Sequence, residues 1–498
     1  MFVRMSCRMN GMGTRGGRMA LCVVVGVTTC LSVVSAEDEI SRAQAARALR
    51  KSVDFFEEQV SAEGGYLWQY SRDLARREGE GRADAQTAWV QPPGTPTVGD
   101  ALLRVYQLTR DARYLDSARR TAGALIAGQL HSGGWDYRIH FDPKVRTKYA
   151  YRVGPSGGAS ARNTTTLDDN TTQAALRFLM RIDRETKFQD KAVHEAALFA
   201  LESLLKAQYP NGGWPQRYSV FPNPADHPVR KANYPPSWSR TYTKRDYKND
   251  YTFNDNSIAD VIDVMFMAAD VYGDERFRDS AKEAGDFIIL AQMPEPQPAW
   301  AQQYNAQMQP SWARRFEPPS ITGGESQGIL RTLLLLYRKT GEKKYLEPIP
   351  RALAYLKESE LSDNRLARFF ELKTNRPLYF TKDYQLTYSS ADMPTHYAFI
   401  VGSSINSIEA QYRKVLRTPL AELNPPAKEK TYRLTPSVKE RARAAAASMD
   451  ERGAWVLQGR LRYHGPEDDT TQVIDTKTFV RQATALAEYL AASKAADK

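Results

Sequence analysis

Cysteine is nearly missing from this 498-residue chain: Cys7, Cys22 and Cys30 are the only three, and all precede residue 31. Disulfide scaffolds and thiol catalysis are thereby excluded for everything that follows. Histidine is scarce as well, and the six (His131, His140, His194, His227, His396, His464) show no spacing that would hold a soft metal. Acidic residues are absent before Glu37, although Arg4, Arg8, Arg15 and Arg18 fall there. After Val34 no apolar run reaches the length of a membrane span. Glycine, at 30 residues, is too sparse for a collagen-like chain, and 26 Tyr, 18 Phe and 8 Trp exclude long-range disorder. What remains is an ordinary globular composition, 42% hydrophobic and 26% charged.

The arginine-bearing N-terminus leads into an apolar run from Met19 to Val34 that ends at Val34-Ser35-Ala36. Basic start, short apolar core and small-residue end make a secretory signal peptide, so residues 1–36 are expected to be cleaved and the mature protein secreted or periplasmic. A retained anchor is the alternative; after cleavage no membrane insertion is expected. Removing the segment's four arginines lowers the net charge from +11 to +7. That excess suits a polyanion, or simply solubility. No nucleic-acid-binding motif accompanies it, so nucleic acid is not an expected partner.

From residue 37 onward one pattern recurs: an apolar helix, a turn with an aromatic anchor, a second helix, then a loop with Gly or Trp. The copies begin ALLRVYQLTRDARYLD, AALRFLMRIDRETKFQD, IADVIDVMFMAADVYGDERF and GILRTLLLLYRKTGEKKYLE. The anchors are Tyr114, Phe188, Phe277 and Tyr345, and the loop aromatics are Trp135, Trp214, Trp300 and Phe369. In the second copy Val193, Ala197, Leu201 and Leu204 fall on one stripe, the period of a helix. A hairpin of this kind buries its apolar face only by stacking on neighbours. The expected fold is all-α: an α/α toroid, an incomplete barrel of helical hairpins, with short irregular strands in the groove loops. Residues 37–498 are expected to make one catalytic domain interrupted by an insert at 221–250. The loops preceding each first helix and following each second helix should share one rim. Trp135, Trp214 and Trp300 suit either turn packing or ligand stacking.

Three of those loops carry the chemistry. TTTLDDNTTQ (164–173) and YTFNDNSIAD (251–260) align directly, Asp168-Asp169-Asn170 against Asn254-Asp255-Asn256. Converging Asp-rich loops would make an open site for a hard cation, which takes oxygen ligands. The spacing is not that of an EF-hand. Read alone, the same loops suit helix N-capping, at which Asp, Asn, Thr and Ser excel. The third loop, SWARRFEPPSITGGESQG (311–328), holds Arg314 and Arg315; Arg368 and Arg376 follow. Guanidinium groups bind carboxylates in two-pronged fashion, so a groove lined with them suits an acidic sugar polymer. Surface salt bridging is the plainer explanation for most arginines.

With these loops in hand, TLDDNTTQAALRFL, LLKAQYPNGGWPQRY, YTFNDNS, ARRFEPPSITGGES and ARFFELKTNRPLYF, in that order from about 164 to 382, resemble polysaccharide lyase family ten, the pectate (pectic acid) lyases. The resemblance implies an α/α-toroid lyase cleaving polygalacturonate by Ca²⁺-dependent β-elimination to 4,5-unsaturated oligogalacturonides. It implies that Asp255, with Asp168 or Asp169, binds the metal. Arg314 would be the catalytic base, with Arg315 as the fallback. Arg368 and Lys382 would bind substrate, to which Arg376 and Trp214 are added as groove candidates. A free guanidinium is always protonated, so a base role requires a nearby cation and desolvation to depress Arg314. Departures from the family pattern are Lys382 in place of Arg, the 221–250 insert, the DMPTHYAFIVGSS ending, and Asp168-Asp169-Asn170 where Asp-Asn-Gly is usual. Two rivals stand beside this reading: a glycoside hydrolase on the same toroid, which needs two carboxyls and no arginine, and a non-catalytic pectin-binding homologue. A monomer is the default expectation.

Overall fold

The computed structural model describes residues 40–425 and 430–496; the expected signal peptide lies outside them. In chain order the helices are α1 (Arg42–Phe55), α2 (Thr95–Thr109), α3 (Ala112–Ala127), the single turn α4 (Pro143–Arg146), α5 (Thr171–Glu185), α6 (Lys191–Ala207) and α7 (Ser257–Tyr272). They continue with α8 (Glu275–Leu290), α9 (Glu325–Thr340), α10 (Ile349–Glu358), α11 (Ile405–Arg417), the single turn α12 (Leu420–Leu423), α13 (Pro436–Ala447) and α14 (Thr476–Ala496). The hairpins are α2–α3, α5–α6, α7–α8 and α9–α10, as the repeat requires. The first helices form a continuous series, α14 on α2, α2 on α5, α5 on α7, α7 on α9 and α9 on α11. The second helices α3, α6 and α8 pack on their own first helices. The result is the expected mostly helical α/α architecture with short strands. No described helix is long and apolar enough to cross a membrane.

Three local devices make each hairpin. An aspartate caps the second helix: Asp111 accepts from the Arg113 N–H at 3.1 Å, Asp190 from Val193 at 3.4 Å and Asp274 from Arg276 at 3.0 Å. Three residues after the cap an apolar side chain enters the core, namely Tyr114, Val193 and Phe277, and Tyr345 stands three after Glu342 in the fourth copy. Phe188 is not this anchor. It precedes the cap Asp190, has φ +62° and is 41% exposed; Val193 takes the position instead.

The third device follows the second helix. A buried tryptophan donates its indole N–H to a carbonyl about ten residues back: Trp135 to Leu125 at 2.7 Å, Trp214 to Leu204 at 2.9 Å, Trp300 to Ile288 at 2.8 Å. Trp455 does the same to Ala445 at 2.8 Å, a copy that the sequence pattern had not marked. Trp214 is 0% exposed, so no sugar can stack on it, and its expected substrate-binding role is replaced by turn packing. Beside these tryptophans a glutamine ties each second helix to the next: Gln129 Nε2 donates to the Ala196 carbonyl, Gln208 to Ser280 and Gln292 to Pro348, each at 2.8–2.9 Å.

Strand pairing brings the loops to one rim. The strand before each first helix pairs antiparallel with the strand after the second helix: Thr87–Trp89 with Arg138–His140, Thr165–Thr166 with Arg217–Tyr218, Tyr251–Thr252 with Gln303–Tyr304, and Ser320–Thr322 with Phe369–Glu371. Gln69–Ser71 pairs with Gln472–Asp475 and links the two ends of the chain. The 221–250 insert crosses to this rim. Ala232 N–H donates to the Leu290 carbonyl at 2.7 Å, Trp312 Nε1 donates to the Ser239 carbonyl at 3.1 Å, and Asp250 accepts from Arg245 and Ser311.

Trp214→Ala removes a fully buried indole and leaves the Leu204 carbonyl without its donor. A loss of about 3–5 kcal/mol of stability is expected from the cavity, read as a lower urea midpoint with an unchanged slope.

Candidate active site

Two short turns, Asp168–Asn170 and Asn254–Asn256, sit side by side immediately before α5 and α7. Each places two consecutive non-glycine residues in the left-handed region: Asp169 and Asn170 at φ +50° and +58°, Asp255 and Asn256 at +47° and +60°. Such residues are strained and persist only where the surroundings over-determine them. The helix N-caps are Asn170 and Asn256, and neither makes a side-chain capping hydrogen bond. Capping therefore does not explain the aspartates. The turns point three carboxylates at one place instead: oxygens of Asp168, Asp169 and Asp255 all lie within 4.8 Å of one another.

Such a cluster is electrostatically costly. Burial, and then the charges of Asp168 and Asp255, push Asp169 up to about 7. Burial and Asp168 push Asp255 up to about 6, against the pull of Arg314. Asp168 is fixed from one side: its Oδ2 accepts from Tyr137 Oη at 2.8 Å and from Arg217 Nη2 at 3.2 Å. Arg217 also donates to the Tyr137 hydroxyl at 3.2 Å. The other oxygen, Oδ1, is buried and has no hydrogen-bond partner among the described residues, and neither has Asn254 Oδ1. An unpaired carboxylate oxygen facing two more carboxylates is the donor set that a hard divalent cation takes.

Arg314 stands within electrostatic reach of both Asp169 and Asp255. Its Nε and Nη2 bind the two oxygens of buried Glu317 at 2.8 and 2.6 Å, and its own backbone N–H donates to the same carboxylate at 2.9 Å. Burial presses the guanidinium down, but the Glu317 bonds outweigh it, and Arg314 is held above its ordinary value. This corrects the expectation of a depressed arginine: the carboxylate three residues on holds the proton in place. Nη1 is the nitrogen left outside the two-pronged pair. Arg368 is built likewise. Its Nη1 donates to Glu325 at 2.8 Å and its Nε to the Ala398 carbonyl at 2.7 Å, with the ring of Tyr397 4.8 Å away. Tyr397 also lies 5.5 Å from Arg314, so one ring serves both cations. Arg315 turns elsewhere, donating to the Asp383 carbonyl at 2.7 Å.

The rim thus assembles Asp168, Asp169, Asp255, Arg314 and Arg368. It does not bring Lys382 or Arg376 into direct contact with the acids: Lys382 is 69% exposed and paired with Asp392 at 3.1 Å, and Arg376 stacks on Tyr388 at 3.4 Å. Sequence reasoning missed Tyr137, Arg217, Glu317, Glu325 and Tyr397. Glu317 and Glu325 lay in the ARRFEPPSITGGES stretch, read there for its arginines. Arg217 lay in GGWPQRY, and Tyr397 in the ending treated as a departure.

The raised Asp169 and Asp255 set the sign of a pH effect. A carboxyl whose folded value lies above its unfolded one contributes stability at acid pH, lost as pH rises through the folded value. The chelated protein should therefore lose melting temperature from this source between about pH 4 and 7. Added divalent cation should stabilise more at pH 8 than at pH 5. Asp255→Asn should raise the melting temperature of the chelated protein at pH 8 and abolish the cation response. Thermal melts at the two pH values check all three.

Residues 154–366 match the family model described as pectic acid lyase, a stretch that contains Asp168, Asp169, Arg217, Asp255, Arg314, Glu317 and Glu325. No curated protein matches. Among solved structures, a mutant family 10 polysaccharide lyase from Cellvibrio cellulosa in complex with trigalacturonic acid is 22% identical with a TM-score of 0.45, covering 64% of this chain and 98% of that one. The family 10 polysaccharide lyase from Cellvibrio cellulosa is 23% identical with a TM-score of 0.44, covering 62% and 97%. A D-mannose isomerase is 15% identical with a TM-score of 0.42, covering 92% and 99%. Residues 154–366, somewhat less than half of the chain, are thus similar to the pectic acid lyases, a family of polysaccharide lyases.

Proposed function

We propose that the protein is an exported, Ca²⁺-dependent pectate lyase that cleaves polygalacturonate by β-elimination, with Asp168, Asp169 and Asp255 holding the metal and Arg314 receiving the C5 proton. The observation that carries this is the convergence of three carboxylates from two left-handed turns, one oxygen of Asp168 buried and unpaired, with two arginines beside them. The trigalacturonic acid named for the Cellvibrio enzyme supports the choice of polymer. The arginine-led, acid-free N-terminus with its Val34-Ser35-Ala36 end supports export.

Bound at the triad, Ca²⁺ would neutralise a substrate C6 carboxylate and so acidify the C5 proton beside it. The protein's own groups do the rest. Arg217 and Tyr137 hold Asp168 in register through its Oδ2, leaving Oδ1 without a hydrogen-bond partner among the described residues. Arg368, oriented by Glu325 and Tyr397, receives a substrate carboxylate and fixes the sugar. In its neutral form Arg314 takes the C5 proton at Nη1; as the C5–H bond breaks, its electron pair forms the C4=C5 double bond, the C4–O4 bond breaks, and O4 leaves with a proton from water. Because Glu317 keeps Arg314 protonated, only a small neutral fraction is available near neutrality. The rate should therefore rise by about tenfold per pH unit through the mildly alkaline range.

The hydrolase reading fits the geometry less well. Hydrolytic carboxyl pairs stand about 5–5.5 Å apart for retention and about 6.5–9.5 Å for inversion. Here three acids, not two, bring oxygens within 4.8 Å of one another, an arrangement that suits a hard cation better than an acid–base pair.

Absorbance of unsaturated product from polygalacturonate, followed with Ca²⁺ and with chelator at mildly alkaline pH, tests the proposal. Product is expected with Ca²⁺ and not with chelator. Asp255→Ala should lower the rate by about a thousandfold, and Arg314→Lys by about a hundredfold or more, with a changed pH profile. New reducing ends without absorbance would mean a hydrolase. Polymer binding with neither would mean a binding protein.

A further inference from the structure

The insert does more than cross the rim; it builds a second cationic surface with a neighbouring strand. Arg240 reaches the buried carboxylate of Glu371, which also accepts from Tyr388 Oη at 2.8 Å and Thr374 Oγ1 at 2.5 Å. Glu371 is thus satisfied and its charge matched by Arg240. Two further cations surround it without a salt bridge to any described residue: exposed Arg376 and exposed Lys373. Both lie against aromatic rings instead. Arg376 stacks on Tyr388 at 3.4 Å, and Arg240 lies 5.8 Å from the same ring. Lys373 Nζ is 5.7 Å from the ring of Tyr234 and 5.9 Å from that of Trp238, both half-buried insert residues. Cations pre-placed on aromatic faces keep their charge toward solvent and lose little freedom on meeting an anion.

The surface adjoins the candidate site. Glu371 ends the strand Phe369–Glu371, which Arg368 immediately precedes, so the two are about 10 Å apart along the chain direction. Ser239, next to Arg240, accepts from the indole of Trp312, two residues before Arg314. A polymer seated at Arg368 and Arg314 would have this surface next to it.

We propose that Arg240, Arg376 and Lys373, held against Trp238 and Tyr388, form an outlying subsite for the carboxylates of a polyuronate chain beyond the cleaved bond. The inference rests on the polyuronate reading of the rim, and it makes the insert a chain-length selector. Short oligomers occupy only the acid–arginine site, whereas long polymers touch both.

The test is Lys373→Ala combined with Arg376→Ala in the full protein. Neither cation forms a salt bridge with a described residue, and although Arg376 helps to hold Glu371 low, Arg240 stays in place as its direct partner. Apparent affinity for long polygalacturonate, measured by mobility in gels containing the polymer, should weaken by about tenfold. Turnover of trigalacturonate should change by less than about twofold. Highly methyl-esterified polymer should bind wild type and variant alike. Unchanged mobility in polygalacturonate, or an equal loss on trimer and polymer, would overturn the proposal. Because the gel reads binding and not cleavage, it answers even if wild type releases no unsaturated product, which would overturn the lyase reading instead.

Discussion

The mutual repulsion of three carboxylates governs the rim. Asp168 and Asp169 come from one repeat and Asp255 from the next, and nothing in ordinary packing would bring all three within 4.8 Å. They are brought there by four left-handed non-glycine residues in two adjacent turns, each costing of order 1–3 kcal/mol. The rest of the architecture serves to hold those turns. The strand pairs Thr165–Thr166 with Arg217–Tyr218 and Tyr251–Thr252 with Gln303–Tyr304 fix their entries, and α5 packed on α7 fixes their exits. Burial then raises the price of the charges, which is why Asp169 and Asp255 sit near neutrality when no cation is present.

The cations beside the cluster follow one rule. Arg217 is tied to Asp168, Arg314 to Glu317 and Arg368 to Glu325. Each arginine is thereby held in one pose before a ligand arrives, which lowers the ordering cost of binding. The cost falls on Arg314, because the pairing that positions it also keeps it protonated. Position and basicity are in opposition at this residue, and an alkaline rate profile follows from that opposition.

The hairpin repeat was legible because helical period and the recurring Gly-Gly-Trp turn are local signals that survive in a single sequence. The two acidic turns were legible for the same reason: Asp168-Asp169-Asn170 and Asn254-Asp255-Asn256 repeat in matching positions, and the structure gives them matching backbone. Partners distant in sequence were not legible. Tyr137 meets Asp168 across 31 residues and Tyr397 meets Glu317 across 80, and no pattern in the chain announces either bond. Trp214 was ambiguous because an aromatic in a rim loop looks the same whether it faces solvent or the core. Only the Leu204 carbonyl ten residues back decides it. Phe188 misled because aromatic character was weighed above register from the aspartate cap, which Val193 obeys.

Calorimetric titration of Ca²⁺ into wild-type protein and Asp169→Asn at pH 6.5, in two buffers of different ionisation enthalpy, puts the triad itself to the test. Wild type should bind the ion and release protons as Asp169 and Asp255 are forced to ionise, so the observed heats should differ between buffers. Asp169→Asn should bind more weakly and release fewer protons. Absence of Ca²⁺ binding by wild type, or binding that is the same in both proteins and both buffers, would contradict a cation site made of these three carboxylates.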